Sequence, residues 1–213
     1  MSTVNVISRF LATALSGYLL GSLPSGVLVG RAFGVDPRSY GSGKTGATNI
    51  LRTLGPGPAA VVAALDVGKG AAATLLPRHL YLRDDPDLAP WGEALGGAAA
   101  MLGHNYSVFI KFTGGRGVLT GAGAMAVMSP LAWLCGLVAA MLPIAITRYV
   151  SLGSMLGAVA SPAVDLVLVL RGRDSLPHLL FLALGGGFVI VSHKDNIQRL
   201  LNGTERKLGQ RAR

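Results

Sequence analysis

Long stretches without charged side chains constrain the fold of this sequence more than any other feature. Residues 117–147 contain no Asp, Glu, Lys or Arg, and similar stretches long enough to cross a bilayer recur along the chain. Only 14% of the 213 residues are charged, whereas about a quarter are charged in a typical soluble domain. The sequence therefore predicts an all-α polytopic membrane protein, folded as one compact bundle over 1–213 with a frayed basic tail at 207–213.

Seven apolar segments are the predicted spans, at 10–29, 54–76, 91–110, 117–128, 131–147, 152–170 and 176–192. A break between the fourth and fifth is expected at Ser129-Pro130, because proline disfavours helical geometry in the residue before it. Seven spans with the N-terminus outside place most of the 19 Lys and Arg residues in cytoplasmic segments. Six spans would put the basic tail opposite the first basic loop. The distribution of charge therefore favours seven spans and a cytoplasmic C-terminus.

Under this topology, four polar segments meet on the cytoplasmic side. They are Gly-Ser-Gly-Lys-Thr-Gly-Ala-Thr-Asn at 41–49, Lys-Phe-Thr-Gly-Gly-Arg-Gly at 111–117, and two shorter segments at 148–151 and 192–196. Glycine allows the positive φ and the close backbone approach that an anion-binding loop needs, and Arg and Lys supply charge-assisted donors. Two such loops with basic side chains on one face predict a site for two phosphate groups at a membrane surface.

Other patterns in the sequence do not support competing sites. Gly-Ser-Gly-Lys-Thr at 41–45 is similar to a P-loop, but that motif requires glycine at position 38, which is Arg38. The spacing of His79 and Asp84 matches a pair found in common acyltransferases, but both fall in an acidic loop predicted to lie outside. Cys135 has no partner for a disulfide or a cysteine-based metal site. The net charge of +9 is interpreted as basic loops beside anionic lipid rather than nucleic-acid binding.

Three charged residues fall inside the predicted spans. Asp66 and Lys69 lie three residues apart on one helix face and can pair, and a structural ion pair is the favoured interpretation. Asp165 receives no role. Among the histidines, His104 is interpreted as structural, whereas His193 is best placed to meet the glycine loops.

The order of these motifs resembles one known family. The chain contains Gly-Ser-Leu-Pro-Ser-Gly at 21–26, the stretch at 40–52, Asp66-x-x-Lys69-Gly70, and Gly103-His104 with the stretch at 109–117. His193-x-x-Asn196-x-x-Arg199 and Leu-Asn-Gly-Thr-Glu at 201–205 follow them. Over about 17–208, the chain is similar to the bacterial acyl-phosphate:glycerol-3-phosphate acyltransferase family (PlsY).

The resemblance implies a multi-pass enzyme of the bacterial inner membrane with its active site facing the cytoplasm. It would transfer an acyl chain from acyl phosphate to the 1-hydroxyl of glycerol 3-phosphate, giving lysophosphatidic acid and phosphate in the first acylation of phospholipid synthesis. These two substrates and membrane lipid would be its partners, without cofactor, metal or nucleic acid, and the protein would be a monomer. Because acyl phosphate is already activated, proximity and fixed cations would suffice, and a substrate phosphate oxygen could accept the hydroxyl proton.

The resemblance also implies the site residues. The catalytic set would be Ser42, Arg52, Lys111, His193 and Asn196, and the substrate-binding set would be Gly41, Gly43, Asn49, Gly114, Gly115, Gly117 and Ser151. The loop at 41–43 would hold the phosphate of the acyl phosphate, whereas Arg52 and its partners would hold glycerol 3-phosphate. Asn49 would brace the first loop, and Glu205 matches a tail carboxylate that is expected to be structural. Lys44 stands where the family usually has Asn.

Two other classes remain as alternatives. A small-anion or phosphate-ester transporter should expose polar groups near the midplane, often in repeated halves. Only Asp66, Lys69 and Asp165 are candidates for such groups, and the sequence shows no internal repeat. A non-catalytic lipid-binding membrane subunit would explain the basic charge but not the paired glycine loops. The acyltransferase is the favoured interpretation.

Overall fold

The computed structural model describes residues 3–210, which are helical apart from turns and one isolated β-bridge between Ser107 and Thr113. The ten α-helices of this range are α1 (Thr3–Ser22), α2 (Ser25–Ala32), α3 (Ala47–Leu54), α4 (Pro56–Leu76), α5 (Ala89–Asn105), α6 (Val118–Met128), α7 (Pro130–Thr147), α8 (Val150–Leu170), α9 (Leu176–Ser192) and α10 (Lys194–Leu201). The prediction of an all-α chain is confirmed for the described residues.

Four helical segments are long and apolar enough to cross a membrane by themselves: Asn5–Ala32, Pro56–Tyr81, Pro130–Thr147 and Val150–Leu170. A fifth candidate is α9 joined to α10 across a bend of 57°. Helix α5 has 17 residues and α6 has 11. A helix of the latter length covers roughly half of a bilayer core that is about 30 Å thick. The chain therefore has the helices of a multi-pass membrane protein, while the count of seven spans and the orientation stay predictions.

The first predicted span is interrupted in the structure. Helix α1 ends at Ser22 and α2 begins at Ser25, after Pro24, which has no backbone N–H to continue the helix. The break leaves the carbonyl of Leu23 available, and Lys69 Nζ donates a hydrogen bond to it at 2.9 Å. The intramembrane lysine thus satisfies a backbone group that the broken helix exposes.

Two further predicted boundaries can be compared with the structure. The third predicted span ends at Asn105 rather than at position 110, because the chain turns there and the Ser107 carbonyl accepts a hydrogen bond from the Phe112 N–H at 2.8 Å. The predicted break at Ser129-Pro130 is confirmed, since α6 ends at Met128 and α7 begins at Pro130.

Glycines allow the long helices to approach one another closely. A side chain at Gly21 of α1 would overlap the backbone of Ala100 in α5, and one at Gly70 of α4 would overlap the carbonyl of Thr120 in α6. Such close contacts between small residues are how helices associate in lipid. The long helices also carry exposed leucines, among them Leu11 of α1 and Leu184 of α9, as expected for surfaces that contact acyl chains.

The loops predicted to be cytoplasmic meet at one end of the bundle, which we call the polar end and define as residues 33–46, 106–117, 148–149 and 193–210. Long-range hydrogen bonds join the tail to neighbouring helices: Arg52 Nη2 of α3 donates to the Arg206 carbonyl at 3.1 Å, and Ser151 Oγ of α8 donates to Glu205 at 2.8 Å. In the described part of the tail, Leu208 N donates a hydrogen bond to the Arg148 carbonyl at 2.7 Å, and the fraying of 207–213 stays a prediction. Residues 211–213 of the predicted frayed tail lie outside the described residues.

Candidate active site

A cavity of about 310 Å³ opens at the polar end and continues between the helices. Its polar lining comes from Ser42, Lys44, Thr48, Asn49, Arg52, Gly115, Arg116, Gly117, Ser151, His193, Asn196 and Glu205. Its deeper lining is mostly apolar and includes Met125, Leu137, Ala158 and Phe181. The cavity therefore has the shape and chemistry for an amphipathic ligand with an anionic head and an alkyl tail.

The first glycine loop is held in place by one buried amide side chain. Asn49 Oδ1 accepts a hydrogen bond from the Ser42 N–H at 3.0 Å, while its Nδ2 donates to the carbonyls of Pro37, Tyr40 and Lys44 at 2.8, 3.1 and 2.9 Å. Gly41 and Gly43 adopt positive φ values of 61° and 67°, which other residues adopt rarely. Asn49 thus braces the loop. Ser42 lines the cavity, whereas Gly41 and Gly43 shape the turn without lining it.

The second glycine loop presents Arg116, not Lys111, to the cavity. Lys111 is exposed and does not line the cavity, because the turn formed by Lys111 and Phe112, with φ of 59° and 56°, lies outside it. Arg116 follows Gly115 and lines the cavity directly. Lys111 is thus absent from the cavity lining, and its role in catalysis stays a prediction. Arg116 is in the same motif, and the glycines on both sides of it were the available signal.

Gly114 and Gly115 lie against His104. A side chain on Gly115 would overlap His104 Nε2, and one on Gly114 would overlap the His104 carbonyl, which itself accepts a hydrogen bond from the Gly115 N–H at 3.1 Å. Gly114 does not line the cavity, whereas Gly115 and Gly117 do. His104 thus supports the second loop and also lines the cavity, and its interpretation as a structural residue stays a prediction.

His193 is a neutral hydrogen-bond acceptor at the start of the tail. Its Nδ1 lies 2.8 Å from the Val189 carbonyl, which can only accept, so Nδ1 carries the proton and Nε2 has a free lone pair. Burial lowers the pKa of His193 to about 4, and the positive charge of Arg116 adds to this effect. The imidazole is therefore suited to accept a hydrogen bond from a substrate hydroxyl at neutral pH.

Glu205 connects three polar side chains across the mouth of the cavity. Its Oε1 accepts hydrogen bonds from Ser151 Oγ at 2.8 Å and from Asn196 Nδ2 at 2.7 Å, and its Oε2 accepts from Arg199 Nε at 2.8 Å. Burial alone would raise the pKa of Glu205, but these hydrogen bonds outweigh it and lower the pKa below its usual value. Ser151 and Asn196 are thereby oriented, and Asn196 Oδ1 remains buried without a hydrogen-bond partner among the described residues.

Among the described residues that line the cavity, there are three basic side chains, from Lys44, Arg52 and Arg116, and two carboxylates, from Asp66 and Glu205. Burial lowers the pKa of both Arg52 and Arg116, and the neighbouring charge of Arg199 lowers it further, while Glu205 opposes the shift. The Nε atoms of Arg52 and Arg116 are buried without a hydrogen-bond partner in the described part of the chain. Guanidinium donors in this state are suited to bind a phosphate group.

Asp66, the other carboxylate that lines the cavity, is already paired. Its Oδ1 lies 2.8 Å from Lys69 Nζ, accepts a hydrogen bond from Ser25 Oγ at 3.0 Å, and lies 3.5 Å from His104 Nδ1. This geometry supports the structural interpretation of the Asp66–Lys69 pair. Asp66 thus connects Ser25, at the break between α1 and α2, with His104, which supports the second glycine loop.

Comparisons with known proteins agree on one class of enzyme. The family model for glycerol-3-phosphate acyltransferase matches residues 11–203. A glycerol-3-phosphate acyltransferase of Thermus thermophilus is 47% identical over 204 residues, covering 94% of this chain and 96% of its own. Glycerol-3-phosphate acyltransferase 1 of Deinococcus radiodurans is 43% identical over 205 residues, covering 96% and 98%.

Two solved structures share the fold. Both are crystal structures of the integral membrane glycerol 3-phosphate acyltransferase PlsY (YgiH). The glycerol 3-phosphate form has a TM-score of 0.83 and 33% identity, and the lysophosphatidic acid form has a TM-score of 0.81 and 32% identity. Each comparison covers 94% of this chain and 96% of the other.

Proposed function

Because the chain belongs to the glycerol-3-phosphate acyltransferase family, we propose that it acylates the 1-hydroxyl of glycerol 3-phosphate with acyl phosphate as the donor. The observation that carries this proposal is the cavity itself, where the half-buried side chains of Arg52 and Arg116 and a glycine loop lie at the mouth of an apolar space. An acyl phosphate has the same division into an anionic head and an alkyl tail. Solved relatives crystallised with glycerol 3-phosphate and with lysophosphatidic acid support the acceptor and the product.

The two phosphate groups require separate positions. In this proposal, the loop at 41–43, together with Ser42 and its braced backbone, holds the phosphate of the acyl phosphate, beside the apolar cavity that takes the chain. Arg52 and Arg116 hold the phosphate of glycerol 3-phosphate, with Asn196 placed by Glu205 to contact the glycerol hydroxyls. His193 Nε2 accepts a hydrogen bond from the reacting hydroxyl and orients it.

The chemical step can then proceed without a covalent enzyme intermediate. The 1-hydroxyl oxygen forms a bond to the acyl carbonyl carbon, and the bond from that carbon to the phosphate oxygen breaks. The hydroxyl proton passes to an oxygen of the departing phosphate, so phosphate leaves as the monohydrogen ion. His193 is a weak base because its pKa is about 4, which favours the substrate phosphate as the proton acceptor. The fixed cations stabilise the developing oxyanion and the leaving group.

We further propose that the polar end faces the cytoplasm of a bacterium, with seven spans in the inner membrane and a monomeric enzyme. The concentration of basic residues at this end supports the orientation, since positively charged loops stay on the cytoplasmic side. The transporter alternative loses its main support, because Asp66 and Lys69 are engaged with each other, with Ser25 and with the Leu23 carbonyl.

The decisive experiment uses purified protein in detergent or lipid cubic phase with palmitoyl phosphate and glycerol 3-phosphate. Phosphate release and lysophosphatidic acid are measured for the wild type and for Arg52→Ala, with palmitoyl-CoA as the alternative donor. We expect product from the wild type with palmitoyl phosphate alone, and strong loss in Arg52→Ala. A folded wild type that uses palmitoyl-CoA but not palmitoyl phosphate would contradict the proposed donor.

A further inference from the structure

A buried polar network lies at the end of the bundle opposite the polar end, and none of its members takes part in the proposed chemistry. We call it the far-end network, and it consists of Arg78, Glu93, Ser129, Asp165, Asp174 and His178. His178 Nε2 lies 2.9 Å from Glu93 Oε2, and its Nδ1 lies 2.7 Å from Asp174 Oδ1. Arg78 forms an ion pair with Glu93. Ser129 Oγ donates to Asp165 Oδ1 at 2.6 Å.

Most members of the network are buried, whereas the Arg78 side chain is 50% exposed. The hydrogen bonds and ion pairs form two groups, one that joins Arg78, Glu93, His178 and Asp174 and one that joins Ser129 and Asp165. Glu93 and Asp165 have no exposed surface, and Ser129 and His178 are 2% and 6% exposed. Five segments of the chain contribute to it: the turn after α4, the start of α5, the junction of α6 and α7, the end of α8, and the start of α9 with the loop before it. It therefore ties the far ends of these helices together.

The network begins one helical turn beyond the deepest lining of the cavity. On α7, α8 and α9 the deepest lining residues are Trp133, Ser161 and Phe181. Residues three or four positions apart lie on the same helix face. Toward the far end, the residues one turn beyond these three on the same helix faces are Ser129, Asp165 and His178, respectively. The Trp133 N–H also donates to the Ser129 carbonyl at 2.9 Å.

An alkyl chain that entered the network would separate ionic and hydrogen-bonded partners, and it has no polar atoms with which to replace those interactions. Leaving such groups unpaired is strongly unfavourable. On the cavity side of the network, in contrast, the wall consists mostly of apolar residues such as Met125 and Ala158, which favour methylene groups. The change from apolar wall to fixed charges occurs at Trp133, whose indole is the largest side chain of the lining.

We propose that the far-end network is the floor of the acyl-chain cavity and that Trp133, directly above it, sets the longest acyl chain that the enzyme accepts. This inference rests on the proposed function, because it assigns the apolar cavity to the acyl chain of the donor. In this proposal, Trp133 determines the specificity for acyl-chain length and does not contact the reacting atoms.

The test measures kcat/KM for lauroyl, myristoyl, palmitoyl, stearoyl and arachidoyl phosphate with the wild type and Trp133→Ala. The matched control is Trp91→Ala, which removes a 45% exposed indole of α5 that does not line the cavity. We expect Trp133→Ala to raise the ratio of stearoyl to palmitoyl phosphate by about tenfold, which is what burying two more methylenes provides. Trp91→Ala should leave the ratio within about twofold of wild type.

Trp133→Leu is measured in parallel in case Trp133→Ala does not fold, and it should shift the ratio in the same direction by a smaller factor. If the Trp133 variants turn over palmitoyl phosphate but keep the wild-type chain-length profile, the inference is wrong while the proposed function stands. If the wild type turns over none of the acyl phosphates, the proposed function fails and the inference falls with it. Wild-type turnover of palmitoyl phosphate therefore distinguishes the two failures.

Discussion

Replacing Arg116 should impair the enzyme far more than replacing Lys111, although both are basic residues of the same glycine-rich motif. Arg116 lines the cavity, and its Nε is buried without a hydrogen-bond partner among the described residues, whereas the Lys111 side chain is exposed and away from the cavity. A hydrogen bond to a charged group contributes about 1.5–3 kcal/mol, which corresponds to roughly 10- to 150-fold in kcat/KM. An exposed lysine contributes at most about 1 kcal/mol.

The assay is phosphate release from palmitoyl phosphate at varied glycerol 3-phosphate, with thermal unfolding in detergent as the check on folding. Arg116→Ala should lower kcat/KM for glycerol 3-phosphate by about 10- to 150-fold, and Arg116→Lys should recover part of the loss because it retains the charge but not the planar fork. Lys111→Ala should stay within about fivefold of wild type. Equal losses in two well-folded alanine variants would refute the assignment of the phosphate-binding cation from the cavity.

Three further predictions concern His193, Gly115 and Lys44. Because the pKa of His193 is lowered to about 4, the unfolded chain binds a proton more readily than the folded one, and the free energy of unfolding should fall as the pH drops from about 6.5 toward 4. About 2 kcal/mol of stability should be lost by about pH 5. Thermal unfolding of His193→Asn should show a smaller loss over the same pH range. Gly115→Ala, whose new methyl group would overlap His104 Nε2, should reduce turnover at least about tenfold and destabilise the fold by about 1–3 kcal/mol, whereas Gly57→Ala, with open space around it, should behave as wild type. Lys44→Asn should raise the KM for acyl phosphate about two- to fivefold, and the difference in KM between the variant and the wild type should shrink at high salt. An unchanged KM at low salt would show that Lys44 does not contribute to binding of the acyl phosphate.

Sequence patterns predicted the helical elements well because lipid imposes a simple rule on each residue. A segment that crosses the bilayer must be apolar along its length and must satisfy its own backbone hydrogen bonds, so the apolar stretches and the break at Ser129-Pro130 were readable directly. The interruption at Pro24 was not predicted, because the energetic cost of a helix break depends on whether the backbone carbonyl that it frees finds another hydrogen-bond donor. The Leu23 carbonyl accepts hydrogen bonds from the Ser25 N–H and from Lys69 Nζ, which α4 brings to it.

The candidate site was predicted in part. Of the residues assigned from the resemblance, Ser42, Asn49, Arg52, Gly115, Gly117, Ser151, His193 and Asn196 line the cavity, and Gly41, Gly43, Gly114 and Lys111 do not. Their roles in binding and catalysis remain proposals. The far-end network had no signal in the sequence beyond the isolated charge of Asp165, because its members come from separate segments with no common motif.

By itself, the sequence determined that this chain is a multi-helix membrane protein, where its glycine loops fall, and which family its motifs resemble. These properties follow from hydropathy, charge and the order of short motifs, each of which is local. Only the tertiary structure decided that Arg116 rather than Lys111 faces the cavity, and that Glu205 orients Ser151 and Asn196. The direction of a loop side chain depends on backbone dihedral angles, and these are set by contacts with residues far away in the chain.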